Sequence, residues 1–353
     1  MSPETHALPP ARPARRLAGY DAVVVISFGA PDGPDDVDPF LETVTRGRDI
    51  PRARLDEVAA NYRRMGGRSP LNDANRALLS ALRADLDRHG IDLPLYWGNR
   101  NWHPLLVDTV AQMADDGIER ALAFVTSAFS SYSSCRRYLD DIEAATTAIP
   151  GAPSIEKLRV FFNHPGFLEP QIELVAAAIE RLPAPQRAGA RLVFAAHSIP
   201  CAMAATCDYE LQLRDAGAVV AAGVGRDRWD LAFQSRSGPP TVPWLGPDVN
   251  DHLAALGAEG VAGVVVVPVG FVSDNMEVVF DLDVRAAETA ARLGLSWARA
   301  ATVGTHPAFV AMVRELILER VEPGGPRRWL GDLGLHPDPC EAGCCPAPTP
   351  RLR

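Results

Sequence analysis

Four apolar runs, "AVVVISF", "ALAFVTSAF", "RLVFAAH" and "GVVVVPVGF", constrain this chain most, because none alternates apolar with polar residues. Runs rich in Val and Phe without that alternation read as strands covered on both faces. Between them lie helical stretches such as "HPLLVDTVAQMADDG", "FLEPQIELVAAAIERL", "DVNDHLAALGAEG" and "HPAFVAMVRELILERV", each ending near Gly, Pro or a charged run. Strand and helix in alternation imply parallel sheets flanked by helices, an α/β architecture.

The halves also resemble each other. "ADDGIERALAFVTSAFSS" (Ala114 to Ser131) lies without a gap on "GAEGVAGVVVVPVGFVSD" (Gly257 to Asp274), "VVVISFGAP" matches "RLVFAAHSIP", and "LYWGNR" pairs with "LAFQSR". Two similar doubly wound, Rossmann-like domains follow, over 20–150 and 151–304, with the crossing near "AIPGAPS" (Ala148 to Ser154). The remaining expectations are a disordered tail over 1–19, a last helix over 305–335 returning to the first domain, and a cysteine-bearing tail over 336–353. Ligands of such sheets collect at the carboxyl ends of strands. Under the pairing Phe28 occupies the place of His197 and Ser134 that of Glu277, so an aromatic wall is expected to face a histidine across an interdomain cleft.

Function classes narrow from here. A net charge of −9, with Lys157 the only lysine, argues against a nucleic-acid partner. Neither G-x-G-x-x-G nor G-x-x-x-x-G-K-[ST] is present, which argues against a nucleotide. No apolar run approaches a membrane span and the first twenty residues lack a secretory apolar stretch, so a cytoplasmic location is expected. Six cysteines are too few for a disulfide scaffold, yet Cys340, Cys344 and Cys345 cluster at the chain end as metal-binding thiols do.

His197 closes a buried strand and reads either as a core histidine or as a base or metal ligand. Glu277 stands three residues after Asp274, the spacing of a capping box, and four before Asp281, which puts both carboxylates on one helical face. A histidine opposite that row makes a site for a divalent metal or a relay for protons.

The ordered motifs "FGAP", "RGRD", "GGRSPL", "GNRNWHP", "AAHSIP", "PWLGP" and "SDNMEVVFDLD" closely resemble the ferrochelatase family, and the cysteine tail resembles its iron-sulfur, actinobacterial, coproporphyrin-metallating members. The resemblance implies insertion of Fe(II), as substrate, into a porphyrin held between two chelatase-type domains. His197 and Glu277 match the residues that meet iron and take the pyrrole protons, with Asp281 continuing the relay. Phe28 and Trp244 match aromatic walls, Ser69 and Tyr132 match porphyrin contacts, and Arg46, Arg48 and Arg100 are candidate propionate partners. The family's mid-chain ligand falls on Cys135, completing a four-thiol set with Cys340, Cys344 and Cys345 for a [2Fe-2S] cluster, a count that zinc also satisfies. Cys201 and Cys207 remain, as small buried residues or, for Cys201, a spare ligand near His197. Asn275 where relatives have histidine, Asn101 in place of a tyrosine, and Arg285 interrupting the acidic row depart from the family pattern. Protoporphyrin IX as substrate, a cobalt or nickel chelatase of another tetrapyrrole, and a two-domain solute-binding protein are the competing readings.

Overall fold

The computed structural model describes Leu17 and residues 19–47, 50–239, 241–322, 324–341 and 343–347, so Arg48 and nearly all of the expected N-terminal tail lie outside the described residues. Strands β1 (Ala22–Ser27), β2 (Leu95–Asn99), β3 (Arg120–Val125) and β4 (Ser154–Lys157) form one parallel sheet in the order β2-β1-β3-β4. Strands β5 (Arg191–His197), β6 (Trp229–Gln234), β7 (Gly263–Val267) and β8 (Ser296–Arg299) form a second, in the same order β6-β5-β7-β8.

The two-face burial read from the apolar runs is what the sheets show. Val23 and Val25 of β1 and Phe194 of β5 point into a core shared by both sheets, while Val24 and Ile26 join a second core and Val193 and Ala195 a third. Side chains alternate across a strand, so a strand sandwiched between helix layers must be apolar at every position.

The internal repeat holds to the residue for the inner strands. Val25 pairs with Phe124 and Phe194 with Val267, the offset that the sequence match of the two segments requires. For the flanking pair it slips: Val25 faces Trp97 whereas Phe194 faces Leu231, two residues from the alignment of "LYWGNR" with "LAFQSR". A slip of two keeps the same face inward and therefore leaves no trace in the hydrophobic pattern.

The expected change of unit after residue 150 is corrected by the pairing of Ala121 with Ile155 and Ala123 with Lys157, which gives "SIEK" to the first sheet as its edge strand. The chain crosses after Lys157. The last helix, Pro307–Val321, packs on helix Leu71–Arg88 of the first half and also on helix Pro165–Glu180 of the second. Arg159, fully buried after the crossing, is held bidentately by Glu319 of that helix at 2.8 and 3.0 Å. No helix among the described residues is long and apolar enough to cross a membrane.

Candidate active site

His197 sits at the carboxyl end of β5, where a strand stops and its last side chain leaves the core. Its Nε2 lies 3.4 Å from Oε1 of Glu277, with both side chains part exposed. Nδ1 lies 2.5 Å from the carbonyl of Ser198, so the ring's donor is spent there and Nε2 is left for the site. Its main-chain carbonyl accepts a hydrogen bond from the Tyr209 hydroxyl at 3.0 Å. Burial alone would lower the imidazole, but the Glu277 carboxylate, the Ser198 carbonyl and Asp281 outweigh it and push its pKa up to about 9.

Glu277 opens a π-helix, Val278–Ala286, and a second π-helix, Tyr132–Arg136, follows the corresponding third strand of the first half. This wide turn is rare and concentrates at functional sites, and here both repeats carry it after the third strand. The capping-box alternative for Glu277 does not hold. Asn275 Oδ1 accepts from Val278 N at 2.9 Å, while Asp274 is taken by Arg299 and by Thr302, at 3.0 Å each. The Glu277 side chain is thereby free for His197. Asp281 is shielded by burial, which raises its pKa; it accepts from Ser235 Oγ and lies 3.4 Å from Arg285.

Gln234, at the end of β6, accepts from Ser198 N through its carbonyl at 2.8 Å and donates from its side chain to the Glu277 carbonyl at 3.2 Å. It ties the two members of the pair together and carries no motif in the sequence. Tyr62 is the other residue missed. Burial, with the Glu277 carboxylate adding, raises its hydroxyl pKa, and Arg64 at the end of the same helix, Arg52–Arg64, meets Glu288 of the second half at 3.2 Å. Phe28 is 40% exposed at the end of β1 and leans edge-on against Phe40, which in turn packs on Tyr62 and Trp102. Trp244 pairs with Pro200, three residues past His197, and its buried Nε1 makes no hydrogen bond among the described residues.

Other expected contacts fall differently. Ser69 is buried, its Oγ accepting from Leu71 N at 3.4 Å, and Arg100 is held by Asp141 at 3.0 Å over the Tyr138 ring. Arg46 is exposed at the end of helix Val37–Thr45, and Tyr132 is half buried.

The thiols do converge. Cys135, Cys340, Cys344 and Cys345 line a cavity of about 420 Å³ together with Cys207, Asp208, Ser130 and His336. Cys340 donates to Cys135, and despite burial the Cys135 pKa falls to about 6 with Lys157 assisting, while Cys340 is raised by the shared proton and Cys345 is pushed up by burial to about 12. Thiols lining one cavity are the donor type that a thiolate-held metal group takes. Among the described residues no three His, Cys, Asp or Glu side chains stand close enough to hold a single ion. Cys201 is not among the lining residues; Cys207 is, which corrects its reading as filler.

A family model described as ferrochelatase matches residues 20–321. The protein is 55% identical over 93% of its length, and 87% of the relative, to a coproporphyrin III ferrochelatase of Frankia alni. Against that of Mycolicibacterium smegmatis it is 50% identical over 92% of this chain and 95% of the relative. In fold it is similar to SirB of Bacillus subtilis, with a TM-score of 0.54 at 11% identity over 85% of this chain and 97% of that one. On the family match and on that identity across nearly the whole length, the chain belongs to the ferrochelatase family.

Proposed function

We propose that the protein inserts Fe(II) into coproporphyrin III in heme biosynthesis. The observation that carries this reading is the His197–Glu277 pair, 3.4 Å apart at the end of β5, with Phe28 exposed at the end of the matching strand β1. Insertion removes two pyrrole N–H protons as a dication arrives, so the site needs a base at the ring face and an anion to take the charge. Glu277 Oε1 supplies the anion, and His197, once its Nε2 proton has passed to that carboxylate, supplies the base, with Asp281 continuing the path outward. Phe28 and Trp244 provide apolar surface for the macrocycle, Tyr132 a further contact, and Arg46 and Arg48 cations for propionates. Relatives at about half identity named coproporphyrin III ferrochelatases support the porphyrin, whereas a relative of Rhodopirellula baltica, 49% identical, is named ferrochelatase alone. Cys135, Cys340, Cys344 and Cys345 would hold a [2Fe-2S] cluster, which when bound adds a redox-active cross-link between mid-chain and tail. Ferrous iron and free thiols both persist in a reducing compartment, which supports a cytoplasmic location.

The test is steady-state metallation of coproporphyrin III and protoporphyrin IX in parallel, with Co(II) and Ni(II) as competing metals. Preference for Fe(II) and coproporphyrin III is expected. Equal or faster turnover of protoporphyrin IX would reassign the substrate, and preference for cobalt or nickel would reassign the metal.

A further inference from the structure

One helix meets both a wall of the thiol cavity and the strand end that bears His197. Residues 205–208 line the cavity, and the next residue, Tyr209, begins helix Tyr209–Gly223 and donates to the carbonyl of His197 at 3.0 Å. Tyr209 is buried against Phe129, its ring centre 6.3 Å away, so its hydroxyl has little freedom to follow another partner. Three residues on, Gln212 is 2% exposed and uses both ends of its amide on Ser130: Ser130 N donates to Oε1 at 2.8 Å and Nε2 donates to Ser130 Oγ at 2.9 Å. Ser130 is itself a cavity wall, and its Oγ lies 3.4 Å from Nε2 of His336, which also lines the cavity. Residues three apart on a helix share a face, so Tyr209 and Gln212 move together. A buried amide satisfied at both ends transmits displacement, because losing either bond leaves a buried polar group unpaired.

We propose that Tyr209 and Gln212 are positioning residues through which occupation of the thiol cavity sets the placement of His197. This rests on the reading that the cavity holds a metal centre. A filled cavity fixes Cys207, Asp208 and Ser130 at its walls, and Tyr209 then holds the strand end at which Nε2 meets iron. When the centre is lost the walls relax, the Tyr209 hydroxyl drifts from the His197 carbonyl, and the imidazole is presented to iron less well. The Phe28 wall, at the end of β1 in the other sheet, is left alone. The centre thereby gains an influence on insertion that needs no electron transfer.

The experiment uses the full-length protein as Tyr209→Phe, Gln212→Glu, Cys340→Ser and the double variant Tyr209→Phe/Cys340→Ser, with Leu211→Ala, an exposed residue on the same turn, as control. Readouts are KM for Fe(II) and kcat, porphyrin affinity by fluorescence quenching, thermal midpoint, and metal content with the visible spectrum. Tyr209→Phe is expected to raise KM for Fe(II) roughly five-fold, the equivalent of one neutral hydrogen bond. Porphyrin affinity, metal content and the Leu211→Ala control should stay as in wild type. Gln212→Glu, which keeps the acceptor for Ser130 N but loses the donor, should shift the same constant while retaining the centre. Cys340→Ser should lose the centre and raise KM for Fe(II), and the double variant should be no worse than the more affected single variant. Effects that multiply, or an unchanged KM in Tyr209→Phe and Gln212→Glu, overturn the coupling while leaving the metal reading intact. Wild-type protein purified anaerobically without thiol-bound iron or zinc overturns both.

Discussion

His197 is pulled two ways: burial disfavours its charged form, and a carboxylate 3.4 Å away favours it. The carboxylate wins, so removing it should disable the site without unfolding it. Glu277→Gln is expected to lower iron insertion at least about 100-fold, the usual scale for a lost acid-base group. Porphyrin affinity and thermal midpoint should hold, since Asn275 and not Glu277 caps the helix. Turnover near wild type would remove Glu277 from the proton path, and a collapsed midpoint would return it to a structural role. His164 presents the opposite case. It is fully buried, its Nδ1 accepts from Gly166 N at 3.0 Å, and its Nε2 lies 3.4 Å from Glu315 without a hydrogen bond. Burial, with Arg159 and Arg328 adding, pushes its pKa down to about 3 from 6.5. The folded state then binds no proton where the unfolded chain does, so stability should fall as pH drops below about 6.5 and keep falling toward 3. Urea titrations of wild type and His164→Asn should differ in slope over this window by up to about 1.4 kcal/mol per pH unit, wild type being steeper. Parallel slopes would show that His164 titrates in the folded protein as it does in water.

Two helices begin alike. His164 and His306 cap helices Pro165–Glu180 and Pro307–Val321, each ring accepting from the backbone N–H two residues on, with Pro in the first turn where no N–H is needed. The two helices then cross at Gly166, where a Cβ would stand 2.6 Å from the Ala308 carbonyl and 2.7 Å from Met312 Cβ. Backbone cannot yield as a flexible side chain does. Gly166→Ala should therefore cost about 1–3 kcal/mol by overpacking, read as a lower midpoint in chemical denaturation, although alanine is the better helix former. An unchanged or higher midpoint would show that the crossing is looser than described. The paired π-helices belong to this scale too. Each follows the third strand of its half, one bearing Cys135 and the other opened by Glu277, so one local device serves two chemistries.

Across the whole molecule, the last helix and the tail bind the halves together. Arg320 reaches Glu156 at 2.7 Å and pairs with Asp338, and Asn163 donates to the Gly334 carbonyl at 2.7 Å, which leads the tail to the thiol cavity. A metal group on Cys135 and Cys340 would close a loop of roughly two hundred residues and act on the unfolded chain as a cross-link does. Cys340→Ser should abolish the visible absorption of a [2Fe-2S] centre and lower stability by about 2–5 kcal/mol, the range for a lost native cross-link. Cys201→Ser, away from the cavity, should keep the colour. A colourless wild type carrying zinc would decide for the zinc reading, and loss of colour in Cys201→Ser would contradict the ligand set.

The sequence by itself determined the sheets, their helices and the repeat, because two-face burial and helical periodicity are written locally in composition and spacing. It also put His197 at a strand end, since strand ends can be read from where apolar runs stop. Tertiary structure decided the rest. "SIEK" carries too little apolar signal to announce an edge strand, so the domain crossing had to wait for its pairing with β3. The partner of Arg100, the reach of Tyr62 toward Glu277, the link Gln234 makes to Glu277 and the place of Cys207 among the thiols each join segments far apart in the chain. Periodicity records which face of an element is buried, whereas only packing records what that face meets.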